Sequence, residues 1–219
     1  MKYLKETQLA ENTLVIFTSD NGGALKFGGS NGILRGSKGL VYEGGIRVPF
    51  IAWWPGKIAP GTTCHAQASV LDLLPTFASL ANMEMDRKIK RDGADISSLF
   101  FFPERSQQDR PFFHWHAGYL MAVRLGDWKL NLLGGFSAPE RENIMKSTYN
   151  LTHFPEEIEL YNLKEDPGES LDKSNEHPEI VDRLIRMAQA ERKSLGQYDQ
   201  HGPGVRKTLY VKNPKYLLN

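Results

Sequence analysis

The sequence predicts an α/β domain built on a mostly parallel sheet, followed by a small α+β subdomain with an antiparallel sheet and one covering helix. Three observations carry this. Leu14-Val15-Ile16-Phe17 is a continuous β-prone run without polar alternation, the pattern of a strand buried on both faces of a parallel sheet. Beyond Pro111, short apolar runs separated by turns read as strands of an antiparallel sheet. Pro178 then opens a stretch in which Ile180, Val181, Leu184, Ile185 and Ala188 share one helical face.

In chain order, residues 1–10 allow a short helix that ends near Asn12, ahead of the apolar strand. That strand empties into Thr18-Ser19-Asp20-Asn21. Ligands of open α/β sheets collect beyond the carboxyl ends of strands, where side chains converge on a crevice. Two adjacent oxygen-bearing side chains followed by Gly22-Gly23 suit a hard cation such as Ca²⁺ or Mg²⁺. Read alone they are better explained as an ordinary turn, since Asn and Gly tolerate positive φ and Asp bonds its own backbone. Residues 48–54 read as a second buried strand, closed by Pro55-Gly56. Residues 70–81 have helical spacing in Leu71, Leu74, Phe77, Ala78 and Ala81. If Asp72 caps that helix, Pro75 falls in its first turn, where a missing N–H costs nothing, and Asp72 is a cap and not a catalytic acid.

Residues 83–95 are charged and loop-like, and the polar stretch 105–110 suggests a boundary, with 1–105 as one unit and 106–219 as another. The second unit reads as strands at 111–116, 121–125, 128–133 and 159–163, a turn at Asp166-Pro167-Gly168, and the helix from Pro178 with Gly196 as its stop. A Gly/Pro-punctuated tail, 202–219, is expected to wrap the surface. His114 and His116, two apart on a strand, share a face that Trp115 does not; they read either as hydrogen-bonded core histidines or as contacts to a metal or substrate.

Composition excludes several classes. Lys+Arg 27 against Asp+Glu 26 gives a net charge of +1, with neither the basic excess expected of a nucleic-acid binder nor an acidic block. No apolar run approaches the ~18 residues that span a bilayer, and the charged start lacks the apolar core of a signal peptide. The one cysteine, Cys64, cannot build an intrachain disulfide. Its neighbour His65 would point to the opposite face of a strand, so Cys64 reads as structural.

Several ordered motifs go further. Residues 18–23 (TSDNGG), 36–39 (GSKG), 42–50 (YEGGIRVPF) and 53–56 (WWPG) resemble the C-terminal half of the sulfatases, of the arylsulfatase A type in the alkaline phosphatase superfamily. Residues 122–130 (AVRLGDWKL) and 159–170 (ELYNLKEDPGES) resemble the family's last strands. The resemblance implies an alkaline-phosphatase-like sandwich and sulfate-ester hydrolysis. It implies Asp20 and Asn21 as two ligands of an active-site Ca²⁺, with Mg²⁺ as a variant, and Lys38 as the residue that contacts sulfate. Lys38 lies between glycines, where backbone and a compact ammonium approach a ligand closely. Glu43 and Arg47 read as a charged pair supporting the site from beneath, with Gly44-Gly45 positioning it. His114 and His116 lie in a region that borders the family's pocket, as candidate substrate contacts.

The family's formylglycine nucleophile arises within Cys/Ser-x-Pro-x-Arg. Cys64 has no such context and the motif is read as absent, so the nucleophile and the N-terminal part of the sulfatase are expected outside this chain. The expected partner is a sulfate ester, possibly a sulfated carbohydrate, and the family suggests a periplasmic, secreted or lysosomal setting. The alternatives are a non-catalytic sulfatase remnant that binds sulfated carbohydrate or a partner chain, and a related phosphodiesterase or phosphatase.

Overall fold

A computed structural model describes residues 1–105, 109–147 and 154–206. Helix α1 (Lys2–Glu6) and a 3-10 turn (Ala10–Asn12) lead into β1 (Val15–Thr18), and a short helix α2 (Glu43–Ile46) precedes β2 (Phe50–Trp53). β1 and β2 form a two-stranded antiparallel ribbon, with Val15 opposite Trp53 and Thr18 opposite Phe50. The parallel sheet expected from the sequence is therefore corrected: every strand pair among the described residues is antiparallel. An unbroken apolar run reports that neither face is polar and says nothing about which way the neighbour runs. Nor is β1 buried here, since Phe17 and Ile51, opposite each other, are 62% and 60% exposed.

Residues 70–81 split into a 3-10 turn (Val70–Asp72) and α3 (Leu73–Leu80), with Pro75 in the first turn. Ser69 and Asp72 form a capping box: Ser69 Oγ accepts from Leu71 N, and Asp72 Oδ2 accepts from Ser69 N at 2.8 Å. Asp72 is thus the third residue of the start, not its cap. It is fully buried, accepts from Ala94 N at 2.8 Å and is paired by Arg110. Helix α4 (Ser97–Phe101) follows.

The second half is a four-stranded antiparallel meander of β3 (Phe112–His116), β4 (Tyr119–Leu125), β5 (Trp128–Asn131) and β6 (Glu159–Asn162), with α5 (Ala138–Ser147) between β5 and β6. Helix α6 (Pro178–Leu195) covers one face, burying Leu184 and Ala188 against Leu120, Val123, Leu130 and Leu160. It starts at Pro178 and stops at Gly196, whose φ of +84° a side chain would resist. A short hairpin, β7 (Gly196–Gln197) and β8 (Gln200–His201), closes the described chain. The expected tail beyond 206 lies outside the described residues.

The register shifts at His114/Trp115, so Met121 and Ala122 both turn to the face away from α6. That face packs Tyr119, Met121, Leu133, Phe136 and Ile144 around Val41 and Tyr42, which come from the loop before α2. The sheet therefore holds the glycine-rich segment of the first half directly on its surface. Among the described residues no helix is long and apolar enough to cross a membrane.

Candidate functional site

Three loops meet where β1 ends. Residues 19–23 leave the strand, 34–40 carry the lysine, and 42–47 form the turn of α2. They approach backbone to backbone: Gly22 N donates to Gly45 O at 3.0 Å, Gly44 N to Arg35 O at 2.7 Å, and Lys38 N to Gly23 O at 3.1 Å. A Cβ on Gly22 would lie 1.9 Å from Gly44 O, and one on Gly44 would lie 2.6 Å from Arg35 O, so no other residue fits either place. Asn31 ties the first two loops. Its Oδ1 accepts from Gly23 N at 2.7 Å and its Nδ2 donates to Gly36 O at 2.9 Å. An Asn among Ser and Gly reads as loop composition, and only its two bridging bonds reveal its part.

The result sets Asp20-Asn21 beside the Lys38 loop. Asp20 is exposed, and its Oδ1 accepts from Asn21 N at 3.0 Å and Ser19 Oγ at 3.3 Å. Asn21 donates from Nδ2 to Gly22 O at 2.8 Å, which turns its amide oxygen the other way. Asn21 lines a crevice of about 540 Å³ with Ser19, Asn31, Leu34, Arg47 and Pro49. The side chain of Lys38 is exposed. As a cation site these groups offer oxygen donors only, the chemistry of Ca²⁺ or Mg²⁺. A shell of roughly six to eight oxygens would need further ligands beyond these two. Among the described residues no three His, Cys, Asp or Glu converge as a ready metal cluster.

Beneath the loops lies a buried ion cluster that the sequence reading saw only in part. Glu43 is fully buried, and its nearest charge is Lys129 of β5, not Arg47: Lys129 Nζ stands 2.9 Å from Glu43 Oε1, while Arg47 Nε is 3.9 Å from Oε2. Lys129, also fully buried, donates to Val41 O at 2.7 Å and pairs with Glu169 Oε1 at 2.9 Å. Glu169 Oε2 accepts from Glu43 N at 2.6 Å, and Arg124 Nη1 lies 3.5 Å from Glu43 Oε2. Burial pushes the Glu169 carboxyl up, with Lys129 pulling against it. Arg47, half-exposed, instead reaches the crevice beside Asn21.

His114 and His116 share the sheet face away from α6, while Phe113 and Trp115 pack toward the helix. Burial, then the nearby Lys129 and Arg124, hold the His114 imidazole down at about 3. Nε2 of each histidine is buried without a hydrogen-bond partner among the described residues. Neither lines the crevice. Cys64 is exposed and free, in a stretch without regular structure.

One sequence expectation needs correction. Ser137-Ala138-Pro139-Glu140-Arg141 does have the spacing Ser-x-Pro-x-Arg. Its surroundings give it another purpose: Ser137 N and Oγ both donate to Glu140 Oε2, at 2.8 and 2.7 Å, at the start of α5. Arg141 donates to Phe136 O and Gly134 O, each at 2.8 Å. The five residues are a helix start with its arginine folded back on the preceding turn.

Residues 1–83 match the Sulfatase family model, and residues 107–208 match the model for the C-terminal region of aryl-sulfatase. N-acetylgalactosamine-6-sulfatase of Rattus norvegicus is 35% identical over 213 residues, covering 89% of this chain and 40% of that protein. Arylsulfatase A of Homo sapiens is 39% identical over 188 residues, covering 78% of this chain and 35% of that protein. The crystal structure of Ps i-CgsB, also solved in complex with k-i-k-neocarrahexaose, is similar with a TM-score of 0.69 at 28% identity, covering 87% of this chain and 38% of that one. The chain spans about two fifths of the length of the curated relatives it matches.

Proposed function

The chain belongs to the sulfatase family, and from that membership we propose that it forms the sulfate-facing part of a sulfate-ester hydrolase. One observation carries the reading: the backbone bond from Lys38 N to Gly23 O, 3.1 Å, which sets the candidate sulfate contact beside the candidate cation ligands Asp20 and Asn21. Lys38 donates N–H bonds to a sulfate oxygen and offsets the charge that grows there. Asp20 and Asn21 hold Ca²⁺, or Mg²⁺, through carboxylate and amide oxygen. When bound, the ion supplies Lewis acidity at the sulfate and fixes its orientation. Arg47, at the crevice, adds a guanidinium for the anionic ester, and His114 and His116, on the sheet face away from α6, are candidate contacts of the substrate. The complex of Ps i-CgsB with k-i-k-neocarrahexaose, and a sugar 6-sulfatase among the relatives, support a sulfated carbohydrate as the substrate class.

The attacking formylglycine comes from another segment in this reading, together with the rest of a catalytic unit whose share in this chain ends near residue 105. Ser137 is engaged by Glu140 at the start of α5 and Cys64 lies in no matching motif. A non-catalytic module that binds sulfate without turnover is the second reading, favoured by that same lack of a nucleophile. The test is an aryl-sulfate assay with calcium, on the chain alone and with a matching N-terminal sulfatase segment that carries Cys/Ser-x-Pro-x-Arg. The chain alone should give no turnover and the pair should give it. In the pair, Lys38→Ala should lower kcat roughly 10²- to 10³-fold, as removal of one preorganised donor does. Asp20→Ala should be partly rescued by excess calcium and Lys38→Ala should not. Turnover by the chain alone, or calcium rescue of Lys38→Ala, would sink the assignment.

A further inference from the structure

The segment that carries Lys38 is held at both ends by the C-terminal sheet. At its start, Arg35 Nη1 donates to Tyr161 OH at 2.8 Å and to Glu169 O at 3.0 Å, and the guanidinium lies 4.0 Å over the Tyr42 ring. At its end, Lys129 Nζ holds Val41 O and Glu43 Oε1, and Glu169 Oε2 holds Glu43 N. Glu169 therefore joins both fastenings, one through its backbone carbonyl and one through its carboxylate. Lys38 stands midway between them.

Lys129, Glu43 and Glu169 are each fully buried. Charges so placed are costly to desolvate and contribute little net stability compared with apolar residues of the same shape. What they give is geometry: a charge network in a dry site has one low-energy arrangement. We infer that Glu169, Lys129 and Arg35 are positioning residues that clamp residues 35–43 onto the C-terminal sheet and so fix where Lys38 presents its ammonium. The consequence for catalysis rests on the reading that Lys38 meets sulfate; the clamp itself does not.

Hydrogen exchange on the full chain separates positioning from a general structural role. The variant of choice is Glu169→Ala, because Lys129 and Glu43 stay paired with each other and no buried charge is orphaned. The amides of Lys38, Leu40, Gly44 and Gly45, all hydrogen-bonded within the loops, should exchange at least about tenfold faster, while those of Val123 and Leu130, paired across β4 and β5, keep their protection. Arg35→Leu, at a half-exposed side chain, releases the other fastening and should give the same local pattern should Glu169→Ala fail to fold. Unchanged exchange in the loops, or acceleration spread evenly over loops and sheet, overturns the clamp. Neither outcome depends on sulfate, calcium or turnover, so the clamp and the proposed function fail separately.

Discussion

Glu43 and Lys129 are 86 residues apart in sequence and 2.9 Å apart in space, and that pair decides what could be read from residues alone. Glu43 is legible because it sits in a dense motif of glycines and charges. Lys129 is not: between Trp128 and Leu130 on a strand, it has the spacing of an ordinary solvent-facing lysine. Only packing of the first half against that face turns it into a buried ion. Lys129→Met would leave Glu43 and Glu169 facing each other without their shared cation, and urea unfolding should show a loss of about 3–5 kcal/mol. His114 on the same face makes a separate expectation. Its imidazole, held down to about 3 by burial, then Lys129 and Arg124, stays neutral in the fold while the unfolded chain takes up a proton below about pH 6.5. Stability from this source is fully present above pH ~6.5 and falls on acidification toward pH ~3, by at most about 1.4 kcal/mol per pH unit. A pH series of unfolding curves should flatten in that window for His114→Phe; equal slopes would remove His114 as the cause.

At the scale of elements, the sequence revealed what periodicity encodes. α6 shows its apolar face, its opening proline and its closing glycine, and each meandering strand shows an apolar run between turns. α5 escapes because its ten residues bury one side chain, Ile144, and so carry no apolar stripe. Its only local sign is the Ser137-to-Glu140 spacing, which is also the spacing that mimics a nucleophile motif. The two readings of Ser137 part cleanly. With Ser137 a donor to Glu140, Ser137→Ala should cost about 1 kcal/mol in thermal or urea unfolding, and Ser137→Thr, which keeps the hydroxyl but cannot become formylglycine, should restore most of it. In the two-part sulfatase assay neither variant should change kcat, whereas a nucleophile would lose all activity in both. The direction of β1 was beyond reach for a different reason: it depends on which neighbour completes the ribbon, and that is tertiary information.

Across the whole molecule, the two halves share one core, since Val41 and Tyr42 pack among Tyr119, Met121, Leu133 and Phe136 of the second half. The motif-rich loops are thus anchored well, while the far side of the first half is not. Phe17 and Ile51 oppose each other across the ribbon at 62% and 60% exposure, and Leu74 and Phe77 of α3 are 63% and 43% exposed. Large apolar side chains left this exposed in pairs point to a contact face, and a two-stranded ribbon also leaves unpaired strand edges. In the relatives, more than half of the chain lies outside the matched region, which is ample to cover such a face. The chain by itself should therefore self-associate, with a weight-average mass that rises with concentration in sedimentation velocity. Phe17→Thr with Ile51→Thr keeps β-propensity while removing the apolar pair, so circular dichroism should be unchanged and association reduced. A matching N-terminal sulfatase segment should have the same effect by covering the face. Were the unaltered chain to remain monomeric across the concentration series, the ribbon would be an ordinary surface and not an interface.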